Sequence, residues 1–318
     1  MKIINKFGIA LVIIFGMGIV MACSRQAPTL EEDKIFTFTA TPTEKDNFSY
    51  GQFSVWCPEN IKTYRGILYL GAGYEYSSIP MMEEEKWKEI ARENQFVLLT
   101  SHMKSRTEED YDIPYWQAEF GSGEAMLDAL AYFAKESKHP EIEFAPLAMW
   151  GFSAGGQFNY QFACWKPERV ITFVAVKGGY YFAEANNEAL KIPALYFTGA
   201  YDLPRRKDAA KDLFNKYINK DPLWCLANEA FSGHVIGKTD ELAIPWLKEI
   251  IQQRVPKKSN SSKGPIVLKD IKQSNVWIGD RTDGSITPVS EFKKDKNISS
   301  WIPNEELANK WKEFHYYK

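Results

Sequence analysis

Hydrophobic positions between residues 35 and 254 form short apolar runs that alternate with longer segments of helical periodicity. Short runs rich in β-branched and aromatic residues predict strands, whereas apolar residues spaced three and four positions apart predict amphipathic helices. The predicted strands cover residues 35–40, 50–56, 66–70, 96–100, 147–150, 170–176, 193–198 and 223–227. The predicted helices cover residues 81–94, 119–136, 157–165, 204–217 and 239–253.

This alternation of strands and helices predicts an α/β fold. A polar turn joins the first two strands, which are expected to be antiparallel, whereas the later strands alternate with helices and are expected to be parallel. We therefore predict for residues 35–254 a mostly parallel central sheet of about eight strands with helices on both faces. The polar and aromatic stretch at 101–116 is predicted to be a long loop.

A segment rich in lysine, serine and asparagine divides the chain near its C-terminal end. Residues 255–264 are predicted to be a flexible linker, and residues 265–318 a small C-terminal extension. Within the extension, 266–268 and 275–278 are predicted to pair as strands, and 305–314 to form a helix.

The N-terminal residues predict a targeting segment that lies outside the fold. Lys2 and Lys6 supply positive charge ahead of an apolar stretch at 7–21, which is short for a membrane span. This stretch leads into the sequence Val-Met-Ala-Cys, which ends at Cys23.

The sequence around Cys23 resembles the lipobox of bacterial lipoproteins, with a methionine where a small residue is usual. The resemblance implies a signal peptide at 1–22, lipidation of Cys23 and a polar tether at 23–34. Ser24, in place of aspartate, implies by resemblance to lipoprotein sorting an anchor in the outer membrane of the bacterial cell envelope. The alternatives are an ordinary signal peptide cut near Ala22 and an uncleaved anchor.

Composition and charge narrow the classes of partner. The 318 residues are 45% hydrophobic and 25% charged, with a net charge of −2 and no long basic block, so no nucleic-acid partner is predicted. With Cys23 assigned to lipid, Cys57, Cys164 and Cys225 are an odd set of thiols that allows at most one disulfide, with its pairing open. The sequence has no Cys-x-x-Cys motif and no His/Cys cluster, so neither a metal nor a cofactor is predicted.

The clearest chemical motif is Gly-Phe-Ser-Ala-Gly at 151–155, which matches the pattern G-x-S-x-G. It lies between the predicted strand at 147–150 and the predicted helix at 157–165. A serine at the tip of such a turn exposes its hydroxyl, and glycines two residues away on each side avoid collisions with the strand and the helix. Ser153 is therefore predicted to be a nucleophile.

This stretch resembles the nucleophile elbow of the α/β-hydrolase superfamily, and residues 50–254 resemble that superfamily as a whole. The sequence Gly-Phe-Ser-Ala-Gly-Gly at 151–156 is similar to that of an esterase group that includes polyhydroxybutyrate-depolymerase-like, feruloyl-esterase-like and acetyl-esterase-like proteins. In the tail, Trp-Ile-Gly-Asp at 277–280 and Trp-Ile-Pro-Asn at 301–304 resemble extensions found in that group. The resemblance implies a Ser-acid-His order along the chain.

Of the four histidines, only His234 and His315 follow Ser153. His234 comes after the last strand of the α/β domain and before its closing helix, which is where the family places its base. His315 lies in the tail beside tyrosines and is expected at the surface, and His139 lies in a loop before a proline. His102 follows a strand and stays an alternative group at the same edge of the sheet.

Asp202 is predicted to be the acid that orients His234. It follows the strand at 193–198 after a glycine turn, at the position that the resemblance implies. Asp208 and Asp212 lie on the next helix and are expected in solvent, and Asp240 is expected at a helix start.

Two backbone amides are predicted to bind the oxyanion. One belongs to Ala154, directly after the nucleophile, and the other to Ala72 in the Gly-Ala-Gly loop at 71–73. That loop resembles the His-Gly-x-Gly loop of esterases, with Leu70 in place of the histidine. A plain glycine-rich turn is the alternative.

The resemblance implies cleavage of carboxylic esters through an acyl-enzyme. The short segment at 180–192 leaves no room for a large lid, so aromatic loops at 74–80, 101–117 and 178–187 are expected to shape an open mouth, with the tail as a further candidate. An open, lipid-anchored site suggests a small or polysaccharide-linked ester substrate in the cell envelope. A serine peptidase of the prolyl-oligopeptidase type and a non-catalytic binding lipoprotein are the alternatives.

Overall fold

The computed structural model describes residues 33–106 and 113–316. The predicted signal peptide and Cys23 lie outside the described residues, as do positions 107–112 of the loop predicted at 101–116. Within the described residues, no helix is both long enough and apolar enough to cross a bilayer.

Eight strands form the central sheet. They are β1 (Lys34–Ala40), β2 (Phe48–Cys57), β3 (Gly66–Gly71), β4 (Phe96–Ser105), β5 (Leu147–Phe152), β6 (Val170–Val176), β7 (Ala194–Gly199) and β8 (Trp224–Glu229). Their order across the sheet is β1-β2-β4-β3-β5-β6-β7-β8. Only β2 runs against its neighbours, β1 and β4, and the pairs from β4 to β8 are parallel. The predicted α/β fold class, with its mostly parallel sheet, is confirmed.

Helices cover both faces of this sheet. They are α1 (Glu85–Asn94), α2 (Ser122–Ser137), α3 (Glu141–Phe144), α4 (Ala154–Trp165), α5 (Asn187–Leu190), α6 (Pro204–Tyr217), α7 (Asp240–Arg254) and α8 (Glu305–Phe314). Helices α2, α4 and α6 bury apolar side chains in one core cluster, and α1, α7 and α8 in a second. Alternate residues of β5 enter the two clusters: Met149 joins the first and Trp150 the second. This two-sided burial explains why the parallel strands read as continuous apolar runs.

Strand β4 is longer than its sequence pattern predicts. The polar residues at 101–105 were expected in a loop, but they continue the strand because β2 extends far enough to pair with them, for example Gly51 with Met103. Helix α2 likewise begins at Ser122 and not at 119, because Gly121 has a φ of +118° and separates it from a short 3-10 turn.

The extension forms a second, antiparallel sheet. Its strands are β9 (Trp277–Asp280), β10 (Ile286–Pro288) and β11 (Ser299–Ile302), in the order β10-β9-β11. The predicted pairing of 266–268 with 275–278 is wrong. Trp301 and Ile302 of β11 are buried beside β9, whereas Val267 is 88% exposed, so the observed pairing buries the larger apolar side chains.

This extension covers the free edge of β8, where unpaired backbone groups would otherwise face solvent. The Leu226 N–H donates to Ser300 Oγ at 3.0 Å, and the Trp311 indole N–H donates to the Leu226 carbonyl at 2.9 Å. The Asn228 N–H donates to His315 Nδ1 at 3.0 Å. His315 is therefore buried, and the expectation that it lies at the surface is wrong.

Cys57, Cys164 and Cys225 are free and buried, so no disulfide joins them. Burial raises the pKa of the Cys57 and Cys164 thiols to about 12. The three thiols therefore act as apolar packing groups.

Candidate active site

Ser153 lies at the turn between β5 and α4, in a backbone conformation that is rare for a non-glycine residue. Its φ is +53° and its ψ is −115°, which costs on the order of 1–3 kcal/mol and persists only where the surroundings impose it. The Ser153 N–H donates to the Val176 carbonyl of β6 at 2.7 Å, and the Ser153 carbonyl accepts from the Gln157 N–H at 3.0 Å. The turn is thus fixed on both sides.

Two glycines permit this turn because backbone approaches backbone closely there. A Cβ on Gly151 would lie 2.3 Å from the Gly155 carbonyl carbon, and a Cβ on Gly155 would lie 2.5 Å from Gly71. The strand, the turn and the loop after β3 therefore meet without side chains between them, as the spacing of the motif requires.

The side chains of Ser153, His234 and Asp202 form one hydrogen-bonded row. His234 Nε2 lies 2.9 Å from Ser153 Oγ, and His234 Nδ1 lies 2.9 Å from Asp202 Oδ2. The structure thus brings together the three residues that sequence analysis selected from separate parts of the chain. The ring of Phe152 lies 5.1 Å from that of His234, centroid to centroid, and packs beside it.

The environment of Asp202 favours an ionised carboxylate. Burial acts to raise the pKa of Asp202, but hydrogen bonds from His234 and the Leu203 N–H, with a further contribution from Arg206, outweigh burial and lower it. Arg206 donates to Asp202 Oδ1 at 3.1 Å. Because a carboxylate only accepts hydrogen bonds, His234 carries its proton on Nδ1 and leaves Nε2 free to accept from Ser153.

Arg206 is a site residue that sequence analysis missed. It lies four residues after Asp202, in the first turn of α6. That spacing was the available signal, since side chains four apart meet on a helix and the helix was predicted from residue 204. Asp202 lies just before that helix, however, so the spacing alone did not show that the two side chains meet.

The loop after β3 lies against the start of α4. The Ala72 carbonyl accepts from the Gly155 N–H at 2.9 Å, which holds this loop beside the turn that carries Ser153. Ala154 is the first residue of α4, so its N–H has no acceptor within the helix. The two predicted oxyanion donors thus belong to two segments that touch at Gly155.

An open cleft of about 440 Å³ lies next to this loop. Neither Ser153 nor His234 is among the described residues that line the cleft. Tyr74 does line it, and it lies two residues after Ala72 in the chain. All three predicted mouth loops contribute to the cleft, through Tyr74, Ser105, Arg106, Ile113, Pro114, Trp116, Tyr180 and Phe182. The Trp116 and Tyr180 rings lie nearly parallel with centroids 6.3 Å apart, and Tyr74 packs edge-on against Trp116 at 5.4 Å.

The other histidines are engaged elsewhere. His102 Nε2 lies 3.1 Å from the Glu75 carbonyl, and His139 Nδ1 lies 2.9 Å from Glu141 Oε1. Among residues 33–106 and 113–316, no group of three or more His, Cys, Asp or Glu side chains is arranged to hold a metal ion.

Comparison with known proteins yields likenesses of structure. No protein-family model matches the chain, and no curated protein matches it. The chain is similar to an S-formylglutathione hydrolase from Agrobacterium tumefaciens, with 13% identity and a TM-score of 0.50, over 69% of this chain and 95% of that one. It is also similar to a ferulic acid esterase, with 13% identity and a TM-score of 0.51, over 70% of this chain and 99% of that one. At this identity the likeness shows the fold, which is that of the α/β-hydrolases.

Proposed function

We propose that the protein is a serine hydrolase that cleaves carboxylic esters through an acyl-enzyme on Ser153. The observation that carries the proposal is the hydrogen-bonded row from Ser153 through His234 to Asp202, with both contacts at 2.9 Å. Such a row supplies a nucleophile, a base and a group that orients the base.

The proposed reaction has two steps. His234 Nε2 takes the proton from Ser153 Oγ as that oxygen attacks the ester carbonyl, and the amides of Ala72 and Ala154 bind the oxyanion. His234 then protonates the leaving alcohol. In the second step it takes a proton from water, which attacks the acyl-enzyme, and it returns that proton to Ser153 Oγ as the bond to the acid breaks. Asp202 holds the imidazole in the required tautomer and stabilises the imidazolium.

The proposed substrate is an ester that carries a ring, for example one linked to a glycan. The cleft beside Tyr74 supports this class because Trp116 and Tyr180 offer aromatic faces to a planar or sugar ring. The segment between β6 and β7 contains only the short helix α5, which supports an open mouth that admits a large substrate. We further propose that lipidation of Cys23 anchors the enzyme in the outer membrane of the bacterial cell envelope.

Hydrolysis of p-nitrophenyl acetate, methyl ferulate and a prolyl anilide by wild type and Ser153→Ala tests the proposed reaction. We expect turnover of both esters by wild type and loss of that turnover in Ser153→Ala. Selective cleavage of the anilide would instead favour a peptidase of the prolyl-oligopeptidase type. Absence of any turnover, together with absence of covalent labelling by a fluorophosphonate, would favour a non-catalytic binding protein.

A further inference from the structure

A fully buried ion pair lies beneath the segment that carries His234. The Lys177 side chain is 0% exposed and that of Glu229 is 8% exposed, with Lys177 Nζ 2.6 Å from Glu229 Oε2. Lys177 Nζ also donates to Ser232 Oγ at 2.7 Å and to the Val235 carbonyl at 2.6 Å. All three protons of the ammonium group therefore have acceptors.

These acceptors bracket His234 in the chain. Ser232 lies two residues before His234 and Val235 lies directly after it. The other oxygen of the same carboxylate, Glu229 Oε1, accepts from the Lys238 N–H at 2.6 Å. The loop at 232–238 is thus attached at three points to one ion pair, and hydrogen bonds to charged groups are about twice as strong as neutral ones.

The backbone at Val176 and Lys177 contacts Ser153 and the strand that precedes Asp202. The carbonyl of Val176 accepts from the Ser153 N–H at 2.7 Å. The Lys177 N–H donates at 3.0 Å to the Phe197 carbonyl of β7, the strand that leads to Asp202. Lys177 itself has a φ of +54°, an uncommon conformation for a residue with a side chain. One short segment therefore contacts the strand or loop of each member of the row.

We propose that Lys177, through its ion pair with Glu229, is a positioning residue that sets the imidazole of His234 at hydrogen-bonding distance from Ser153. This inference rests on the proposed function for its catalytic consequence. Removing the ammonium group would leave the Glu229 carboxylate buried without its partner, and the loop would shift to bring it water. A displacement of about 1 Å at a reacting group lowers a rate by roughly 10²-fold.

Lys177→Met tests the proposal, because methionine keeps most of the side-chain volume and removes the charge. We expect kcat for p-nitrophenyl acetate to fall by roughly 10²-fold with KM little changed. In proton NMR, the His234 Nδ1 proton, assigned by its loss in His234→Gln, should shift or broaden in Lys177→Met. Glu229→Gln keeps an acceptor for the lysine, and we expect about a 10-fold loss of kcat.

Arg169→Met is the matched control. Arg169 is another buried cation, at the opposite end of β6, and it donates to the carbonyls of Glu143 and Ala145 far along the strand from His234. We expect this variant to unfold at a lower temperature while its folded form keeps the wild-type kcat and the wild-type His234 resonance.

Two results would overturn the proposal. One is a folded Lys177→Met protein with wild-type kcat and an unchanged His234 resonance, and the other is an Arg169→Met protein whose kcat falls as far. If Lys177→Met does not fold, Ser232→Ala decides, since it removes one contact of the ammonium group: about a 10-fold loss of kcat supports the proposal and a wild-type kcat contradicts it. If wild type cleaves no ester, the proposed function fails, and the His234 resonance alone decides whether Lys177 positions the ring.

Discussion

At the scale of single residues, the site depends on a strained turn that few side chains permit. Ser153 has a φ of +53°, which is rare for a non-glycine residue, and the hydrogen bond from its N–H to Val176 together with the start of α4 keeps it there. Strain of this kind exposes the hydroxyl towards His234. A Cβ added at Gly151 or Gly155 would lie within 2.5 Å of neighbouring backbone atoms, so these positions are the most sensitive to added volume.

Gly151→Ala should disable the site, because its new Cβ would lie 2.3 Å from the Gly155 carbonyl carbon and backbone must move. We expect ester turnover to fall by at least about 10²-fold and the melting temperature to drop. Gly233→Ala is the control, since its Cβ would come no closer than 3.8 Å to the Tyr201 carbonyl oxygen. Wild-type turnover by Gly151→Ala would contradict this account of the turn.

The three members of the row could be selected from sequence because each lies in the turn or loop that follows a predicted strand. Parallel strands bring such positions to one edge of the sheet. Arg206 and Lys177 could not be selected this way. Arg206 lies on a predicted helix, but its partner Asp202 lies in the turn before that helix, and Lys177 contacts a loop that folds back over its buried charge. Neither contact leaves a periodic pattern.

At the scale of elements, three loops form the cleft beside Tyr74, and Trp116 is its central ring. Trp116 contacts both Tyr74 and Tyr180, so it joins its own loop to the other two. A substrate ring placed in this cleft would lie on aromatic faces, and a small aliphatic ester would not need them.

Trp116→Ala should therefore separate ring-bearing from small substrates. We expect kcat/KM for methyl ferulate to fall about 10-fold, and kcat/KM for ethyl acetate to stay within about twofold of wild type. Tyr76→Ala on a neighbouring loop is the control, because Tyr76 is 77% exposed and does not line the described part of the cleft. Equal losses for both esters would indicate a structural role for Trp116.

The C-terminal extension acts as a cover for the edge of β8, and His315 is one of its buried contacts. His315 Nδ1 accepts from the Asn228 N–H and Nε2 lies 3.2 Å from the Arg281 carbonyl, to which it donates, so the ring is neutral. Burial lowers the pKa of His315 to about 4.

This pKa predicts a loss of stability in acid. Between the ordinary histidine pKa of about 6.5 and the pKa of about 4 in the folded protein, His315 is protonated in the unfolded chain but neutral in the folded protein. The free energy of unfolding should therefore fall with pH across this window, by about 3 kcal/mol in total. Urea unfolding of wild type and His315→Gln at pH 7, 6 and 5 measures it. If the free energy of unfolding falls equally steeply with pH in both proteins, His315 is not the group responsible.

At the scale of the whole molecule, the mostly parallel sheet with helices on both faces could be predicted because burial on both faces leaves unmistakable apolar runs. The small sheet of the extension could not. Its strands are three or four residues long, and β10 and β11 are recognisable only through their pairing with β9. The contact between the extension and the edge of β8 could not be predicted either, because it uses the side chains of Ser300, Trp311 and His315 in place of a further strand.

The proposed lipid anchor predicts the location of the whole molecule. In bacteria fed an alkyne analogue of palmitate, we expect the wild-type protein to carry the label and to sediment with membranes. Cys23→Ser should lose the label, because the thiol at the lipobox-like sequence is the acceptor. Cys57→Ser, which alters a buried thiol, should keep it. Retention of the label in Cys23→Ser would contradict the proposed anchor.

Covalent labelling tests the central claim that Ser153 is a nucleophile activated by His234. The wild-type protein is incubated with a fluorophosphonate, its intact mass is measured, and the modified peptide is sequenced by mass spectrometry. We predict one adduct per chain, on Ser153, with no adduct in Ser153→Ala and labelling slowed by about 10³-fold or more in His234→Gln. An adduct on another residue, or ester turnover that survives Ser153→Ala, would contradict the account.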